Sequence, residues 1–327
     1  MRLGFIRFFL AVYYSLFFSD SNGLENTTVN IKFPHNASWV ILSPIEQRIK
    51  EKIEKVGVPL KDWEDIRINY GIKTGCNEAF IIDKAKKDEL IRQSPNSVDI
   101  IRPILRGKDI KKYGYNFADK YLIATFPSKK YDIEDYPAVR DYLFNFGKSD
   151  TDYLSQYGKD CWGKKRLEQS GNKGSRKKTH NKWFELQDSI AYWDDFSKPK
   201  IMYAEIMRIT KADVNDYPRF CLIKEPIYSN NSIHFFTGNN LDSLVCLLNS
   251  EYATWWFFNT VAVLDAGGMQ MRKIFVENIP LPKLIKNVTR KNVDEMIYQA
   301  FKFSKSEVTY IQNVITQKQS EILNASK

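Results

Sequence analysis

The sequence predicts an α+β fold, with mixed or antiparallel strands, peripheral helices and a C-terminal helical segment. Three observations predict it. Short apolar runs of strand length, among them Tyr121-Leu122-Ile123-Ala124-Thr125-Phe126, are bounded by Gly, Pro and Asn. Helical periodicity marks other stretches, first through Ile45, Ile49, Ile53 and Val56. The 18 Tyr, 21 Phe and 7 Trp supply a packed core and exclude a disordered composition. At 327 residues the chain has room for one large domain or two ordinary ones.

Taken in order, residues 1–37 read as a leader or linker. Met1 to Arg7 is cationic and Phe8 to Phe18 is an apolar run of signal-peptide length. Residues 1–22 therefore leave an exported protein open as an alternative to a cytoplasmic one, although Tyr13, Tyr14 and Ser15 interrupt the run. The run is too short to cross a bilayer comfortably, so no membrane is expected. Ser43, Pro44 and Gln47 predict a capped helix start, and Gly57 its end. Arg67 to Asp83 reads as strand, turn, strand, with the polar tip Lys73-Thr74-Gly75-Cys76-Asn77 after Gly71. Asp88 to Gln93 predicts a short helix, residues 99–113 a strand or helical turn, and Pro137 to Phe144 a helix. Residues 147–182 read as a mobile basic loop. Lys200 to Ile206 predicts a strand, and residues 220–223 and 227–236 a hairpin. Asn240 to Phe258 predicts a helix. A second Gly-rich tip, from Ala266 to Lys273, precedes a strand Ile274–Val276, and Thr289 to about Asn324 is helical.

Lys and Arg number 49 against 39 Asp and Glu, a formal charge of +10 and a pI near 9.2. The excess favours a polyanion partner, and its clustering at 102–112, 159–182 and 272–291 points to nucleic acid. Candidate phosphate contacts are Arg102, Arg106, Lys108, Lys164, Lys165, Arg166, Lys177, His180, Arg208 and Lys273. Base-type chemistry is offered by Lys73, Thr74, Asn77, Asn230, Asn231, Gln270 and Arg272, because amide and guanidinium groups pair bidentately with base edges. Most of these residue types are equally at home in turns. Gly71, Gly75, Gly107, Gly267 and Gly268 are expected to have backbone roles.

Four blocks carry a family resemblance: Asp99 to Tyr113, Lys198-Pro199-Lys200-Ile201-Met202-Tyr203-Ala204-Glu205-Ile206, Leu244-Val245-Cys246-Leu247-Leu248-Asn249-Ser250, and Val276-Glu277-Asn278-Ile279-Pro280-Leu281-Pro282. In this order and approximate spacing they resemble the TaqI-like C-terminal specificity domain of type IIG restriction–modification enzymes, over about residues 40 to 285. The resemblance implies a target-recognition fold over 38–285, a C-terminal helix over 286–327, and double-stranded DNA as partner. It also implies that a methyltransferase or nuclease portion, with S-adenosylmethionine and Mg, belongs to another chain or to a longer parent.

No catalytic residue is predicted. The Asn/Asp-Pro-Pro-Tyr/Phe pocket that grips a flipped adenine is missing, as is a Gly-rich nucleotide-binding turn. Asp109-Ile110-Lys111 has the local form of a metal nuclease site but no paired acidic strand nearby. His35, His180 and His234 have no triad or ligand spacing, and Cys76, Cys161, Cys221 and Cys246 form no C-x-x-C pair. No metal site and no cofactor are expected for this chain. A methyltransferase or endonuclease with unrecognised catalytic residues remains the alternative.

Overall fold

A computed structural model describes residues 42–264, 267–283 and 287–325. The predicted leader over residues 1–37, Ala266 of the second tip and residues 284–286 lie outside the described residues. The fold is α+β, and it divides into two compact units. One draws on the described residues within Met1–Arg67, Glu205–Phe220 and Asn239–Lys327; the other is Ile68–Ala204 with Cys221–Gly238.

The first unit is mainly helical. Its opening helix, Pro44–Val56, starts with a capping box in which Ser43 is the N-cap and Glu46, not the expected Gln47, is the partner. The third helical position is the one whose carboxylate reaches back to the cap N–H, and Glu46 occupies it. Ile49 and Ile53 are buried, and Gly57 ends the helix. A Cβ on Gly57 would stand 2.8 Å from both the Ile53 carbonyl and Pro280 Cβ. The Asn240–Phe258 stretch is two helices, Leu241–Leu248 and Glu251–Thr260. Ser250 breaks it, because its side chain caps the second helix by accepting from the Ala253 N–H. Asn249 is turned onto Phe220: its Oδ1 accepts from the Phe220 N–H at 3.0 Å and its Nδ2 donates to the Phe220 carbonyl at 2.8 Å. That pairing gives the Leu-Asn-Ser block a structural reason. The single C-terminal helix is also two, Val293–Phe301 and Lys305–Ala325, parted by Lys302 in the left-handed conformation. Ile274–Val276 is not a strand but part of a helical turn, Lys273–Val276.

The second unit is built on two four-stranded sheets. One runs in the order Phe220–Ile223, Lys200–Ala204, Ile233–Thr237, Arg67–Tyr70; the other Tyr228–Ser229, Ile101–Leu105, Lys120–Ile123, Ile81–Asp83. Residues 220–236 are therefore not a hairpin. Lys200–Ala204 lies between the two supposed arms, and Tyr228–Ser229 pairs in parallel with Ile104 and Leu105 in the other sheet. The Lys200–Ala204 strand is buried throughout, which admits a neighbour on either edge. Its Lys200 ammonium is fully buried and donates to the carbonyls of Phe196 (2.7 Å), Lys198 (3.1 Å) and Glu225 (2.8 Å). Burial lowers this lysine from 10.5 to about 8.

Residues 147–182 are less loop-like than their charge suggests. They contain the helices Thr151–Tyr157 and Gly163–Leu167, and Leu167 joins the core. No helix among the described residues is long and apolar enough to cross a membrane.

Candidate nucleic-acid interface

The tip after Gly71 is held from below. Gly71 N–H donates to the Ile233 carbonyl at 2.8 Å, Ile72 N–H to Ser229 at 2.8 Å, and Asn231 N–H to Ile72 at 2.9 Å. A Cβ on Gly71 would fall 1.9 Å from the Asn230 carbonyl oxygen, so only glycine fits this crossing. The following residues form no simple turn: Asn77–Phe80 is one helical turn before the strand Ile81–Asp83. Thr74 is 1 % exposed. Its hydroxyl donates to Asn77 Oδ1 at 2.8 Å and accepts from the Cys76 N–H at 3.1 Å. Gly75 sits at φ +79°, where an added Cβ would also meet Gln187 Oε1 at 2.5 Å. Lys73 and Asn77 are left exposed at the tip. Burial raises the Cys76 thiol to about 11, which makes it a poor nucleophile.

Arg176 locks this tip to the basic segment. It is 4 % exposed, and four of its five guanidinium N–H groups donate to backbone carbonyls. Nε donates to Leu167 at 2.7 Å, Nη1 to Thr74 and to Glu185 at 2.8 Å each, and Nη2 to Trp183 at 2.7 Å. Its charged end also lies 5.0 Å from the Phe80 ring centroid. Burial lowers it to about 10. Sequence reasoning passed over Arg176, because nothing in Ser175-Arg176-Lys177-Lys178 distinguishes the inward cation from its neighbours.

The remaining sequence candidates separate by what their side chains already hold. In the second unit, Arg166 is bonded to Asp150 at 2.8 Å and lies over the Tyr153 ring at 3.5 Å and the Phe146 ring at 4.9 Å. Lys165 is paired with Asp160. Arg102 donates to the carbonyls of Val98, Asp99 and Ile101. Arg106 grips Asp109 with Nε and Nη2, both at 3.0 Å. Asp109 is thereby buried and committed as a cap, which accounts for the Asp-Ile-Lys tripeptide without a metal. Among the described residues no group of three His, Cys, Asp or Glu is placed to hold a metal ion. Asn230 is buried, with its Oδ1 accepting from the Ser232 hydroxyl at 2.6 Å. Gly107 N–H donates to that same hydroxyl at 2.9 Å, and a Cβ there would stand 3.2 Å from Ser232. Lys108, Lys164, Lys177, His180 and Asn231 remain exposed.

In the first unit a three-stranded antiparallel sheet orders Ala262–Leu264, Gly268–Gln270 and Ile206–Arg208. Gly267 has φ +70° and accepts at its carbonyl from the Ile209 N–H. Gly268 lies opposite Arg208. Turned with its oxygen toward Arg272, the Gln270 carboxamide accepts from Nε at 3.0 Å and Nη2 at 2.8 Å. Arg208 and Arg272 are exposed, and Lys273 is half-buried near Glu277.

The family model described as the TaqI-like C-terminal specificity domain matches residues 102–281. The chain is also similar to two solved structures. One is the type IIL restriction–modification enzyme MmeI in complex with DNA, at 12% identity and TM-score 0.46, covering 80% of this chain and 36% of that one. The other is the type IIG restriction endonuclease BpuSI, at 15% identity and TM-score 0.47, covering 85% and 32%. The chain thus spans about a third of the length of each. No curated protein matches it.

Proposed function

The chain belongs to the TaqI-like C-terminal specificity domain family, and from that premise we propose that it recognises a specific sequence in double-stranded DNA. The family match over residues 102–281 carries the reading. Side chains that reach solvent support it, although Asn77 also accepts from the Thr74 hydroxyl and Gln270 from Arg272. Lys73 and Asn77 project from a tip whose backbone is fixed on several sides, a preorganised arrangement that limits the ordering cost of binding. Lys164, Lys177, His180 and Lys108 offer phosphate contacts that set register, while Asn231, Gln270 and Arg272 offer base-edge chemistry. Arg102, Arg106, Arg166 and Asn230 serve in this reading as the scaffold behind those contacts. Methyl transfer or cleavage, with S-adenosylmethionine or Mg, would fall to a catalytic portion supplied by a partner chain or a longer parent.

The test is fluorescence anisotropy with a random-sequence duplex pool across a salt series, followed by selection of the bound fraction. Salt-sensitive binding with an enriched short motif is the expected result. Absence of binding at low salt would overturn the proposal, and binding without any enriched motif would reduce it to general affinity for polyanions.

A further inference from the structure

We infer that the tip after Gly71 reads a guanine through the major groove, with the Lys73 ammonium and the Asn77 amino group on its two acceptors and Thr74 as the positioning residue that turns the Asn77 carboxamide outward. The inference rests on the DNA-recognition reading above and goes beyond it to one base and to the residue that selects it.

Thr74 decides what Asn77 presents. It is 1 % exposed, so its hydroxyl proton has to be given to an acceptor within the protein. The hydroxyl oxygen already accepts from the Cys76 N–H at 3.1 Å, and the proton goes to Asn77 Oδ1 at 2.8 Å. The opposite orientation of the carboxamide would set the Asn77 amino group against that hydroxyl and take this acceptor from the buried proton. Asn77 Oδ1 is therefore turned inward, and its Nδ2 carries two N–H donors at an exposed position. Lys73 is exposed as well. Its backbone N–H and carbonyl are tied to Asp188, at 3.2 and 3.3 Å, and its side chain projects beyond them.

The donors stand on a braced backbone. Arg176 Nη1 donates to the Thr74 carbonyl at 2.8 Å, and Ala79 and Phe80, just after Asn77, are fully buried. Two donors call for a base that shows two acceptors. In the major groove guanine alone does so, through N7 and O6. The carboxylates nearby fit the same base pair. Asp188 Oδ2 accepts from the Lys73 N–H, and Glu78 Oε2 accepts from the Cys76 thiol at 3.5 Å. Their charge keeps phosphates away from the tip and so favours base edges there, and the cytosine of a G·C pair offers an N4 amino donor beside guanine O6. Attraction for phosphate comes from the adjoining segment, where the exposed Lys177 and Lys178 directly follow Arg176.

Base analogues test the inference. Each guanine of the duplex selected by the full-length chain is replaced in turn by 7-deazaguanine, which lacks the N7 acceptor, or by inosine, which lacks only the minor-groove amino group. Dissociation constants are measured for the parent protein, Lys73→Met, Asn77→Ala, Thr74→Val and Thr74→Ser. At one guanine, 7-deazaguanine should weaken parent binding about fivefold, the net worth of one hydrogen bond, while inosine leaves it unchanged. That loss should vanish in Asn77→Ala or in Lys73→Met, whichever residue holds N7. Thr74→Val should lower the preference for guanine over adenine at that position by about fivefold without altering the salt slope, because the carboxamide is then free to turn its oxygen toward an adenine amino group. Thr74→Ser keeps the hydroxyl and should restore the preference. A selected motif without a G·C pair, 7-deazaguanine without effect at every position, or a loss that persists in both Lys73→Met and Asn77→Ala would overturn the inference and leave DNA recognition intact. A Thr74→Val protein that keeps the full guanine preference would overturn the role of Thr74; should that variant fail to fold, the analogue losses in the other proteins decide. Failure of the chain to bind duplex DNA at all would remove both readings.

Discussion

Arg176→Ala is expected to destabilise the second unit and loosen the recognition tip at once. The side chain makes four hydrogen bonds to backbone carbonyls from an almost fully buried position. At roughly 1.5–2 kcal/mol for each bond to a charged group, they sum to about 6–8 kcal/mol. Against this stands the cost of burying the cation. A fall from 12.5 to about 10 corresponds to roughly 3 kcal/mol. The difference leaves about 3–5 kcal/mol to be lost on truncation, in line with the loss of one partner from a buried charged cluster. Arg176→Lys keeps the charge but not the planar fork, so it should recover only part of that loss. Urea unfolding followed by tryptophan fluorescence measures the stability change, and hydrogen exchange at residues 73–77 measures the tip. Discrimination between selected and scrambled duplex should fall in both variants. The salt slope should stay unchanged, because an inward guanidinium touches no phosphate. Arg176→Ala with a stability loss under about 1 kcal/mol and unaltered exchange at the tip would refute the reasoning.

Asn249→Ala should cost about 2–4 kcal/mol by removing both hydrogen bonds to the Phe220 backbone inside the first unit, and a thermal melt unchanged from the parent would count against that pairing. Lys200 has a native pKa of about 8 against 10.5 unfolded, so between those values the unfolded chain binds more protons and this group's contribution to stability rises with pH. Lys200→Met should remove that rise in urea midpoints compared at pH 7, 8 and 9.5, and parallel pH profiles would refute it. The pair Lys164→Ala and Lys177→Ala should lower the slope of log affinity against log salt by about 0.9 per lost phosphate contact, and an unchanged slope would move the phosphate contacts away from this segment.

Much of the fold was legible where local chemistry decides it. Ser43-Pro44 begins a helix because the cap and the proline agree, and Pro137 likewise starts the helix that ends at Phe144. What failed was partner choice. Residues 220–223 and 227–236 read as hairpin arms because nearby strands usually pair, yet the insertion of Lys200–Ala204 between Phe220–Ile223 and Ile233–Thr237 is a long-range event with no local signature. The Asn240–Phe258 run read as one helix because its apolar residues continue past Ser250, although Ser250 is itself a good N-cap. The two Gly-rich stretches stood out in the sequence, but the first contains a helical turn at Asn77–Phe80 and the second a strand at Gly268–Gln270 that turn chemistry does not announce. The engagement of Thr74 and Asn230 inside the fold was not legible either, since it depends on a crossing between residues 71–72 and 229–233 that only the tertiary structure brings together.

The basic clusters divide by residue type, and the chemistry of the two cations explains why. In the second unit Arg102, Arg106, Arg166 and Arg176 all turn toward the protein, onto carbonyls, a carboxylate or aromatic rings. Lys108, Lys164, Lys173, Lys177 and Lys178 are exposed. A guanidinium spreads its charge over a planar fork and is weakly hydrated, so several carbonyls arranged around it can replace its water. An ammonium is a compact, strongly hydrated charge and stays in solvent unless a comparable cage is built for it. Lys200 has such a cage, with three carbonyls, and its lowered pKa reflects the cost. Counting cations along 159–182 therefore overstates the surface available to phosphate, because its arginines organise the fold. Arg208 and Arg272 depart from this pattern in the first unit, where both remain exposed beside Ile206 and Gln270. Arg208, on the sheet, keeps its guanidinium in solvent, whereas Arg272, just beyond the strand, already donates through Nε and Nη2 to the Gln270 oxygen.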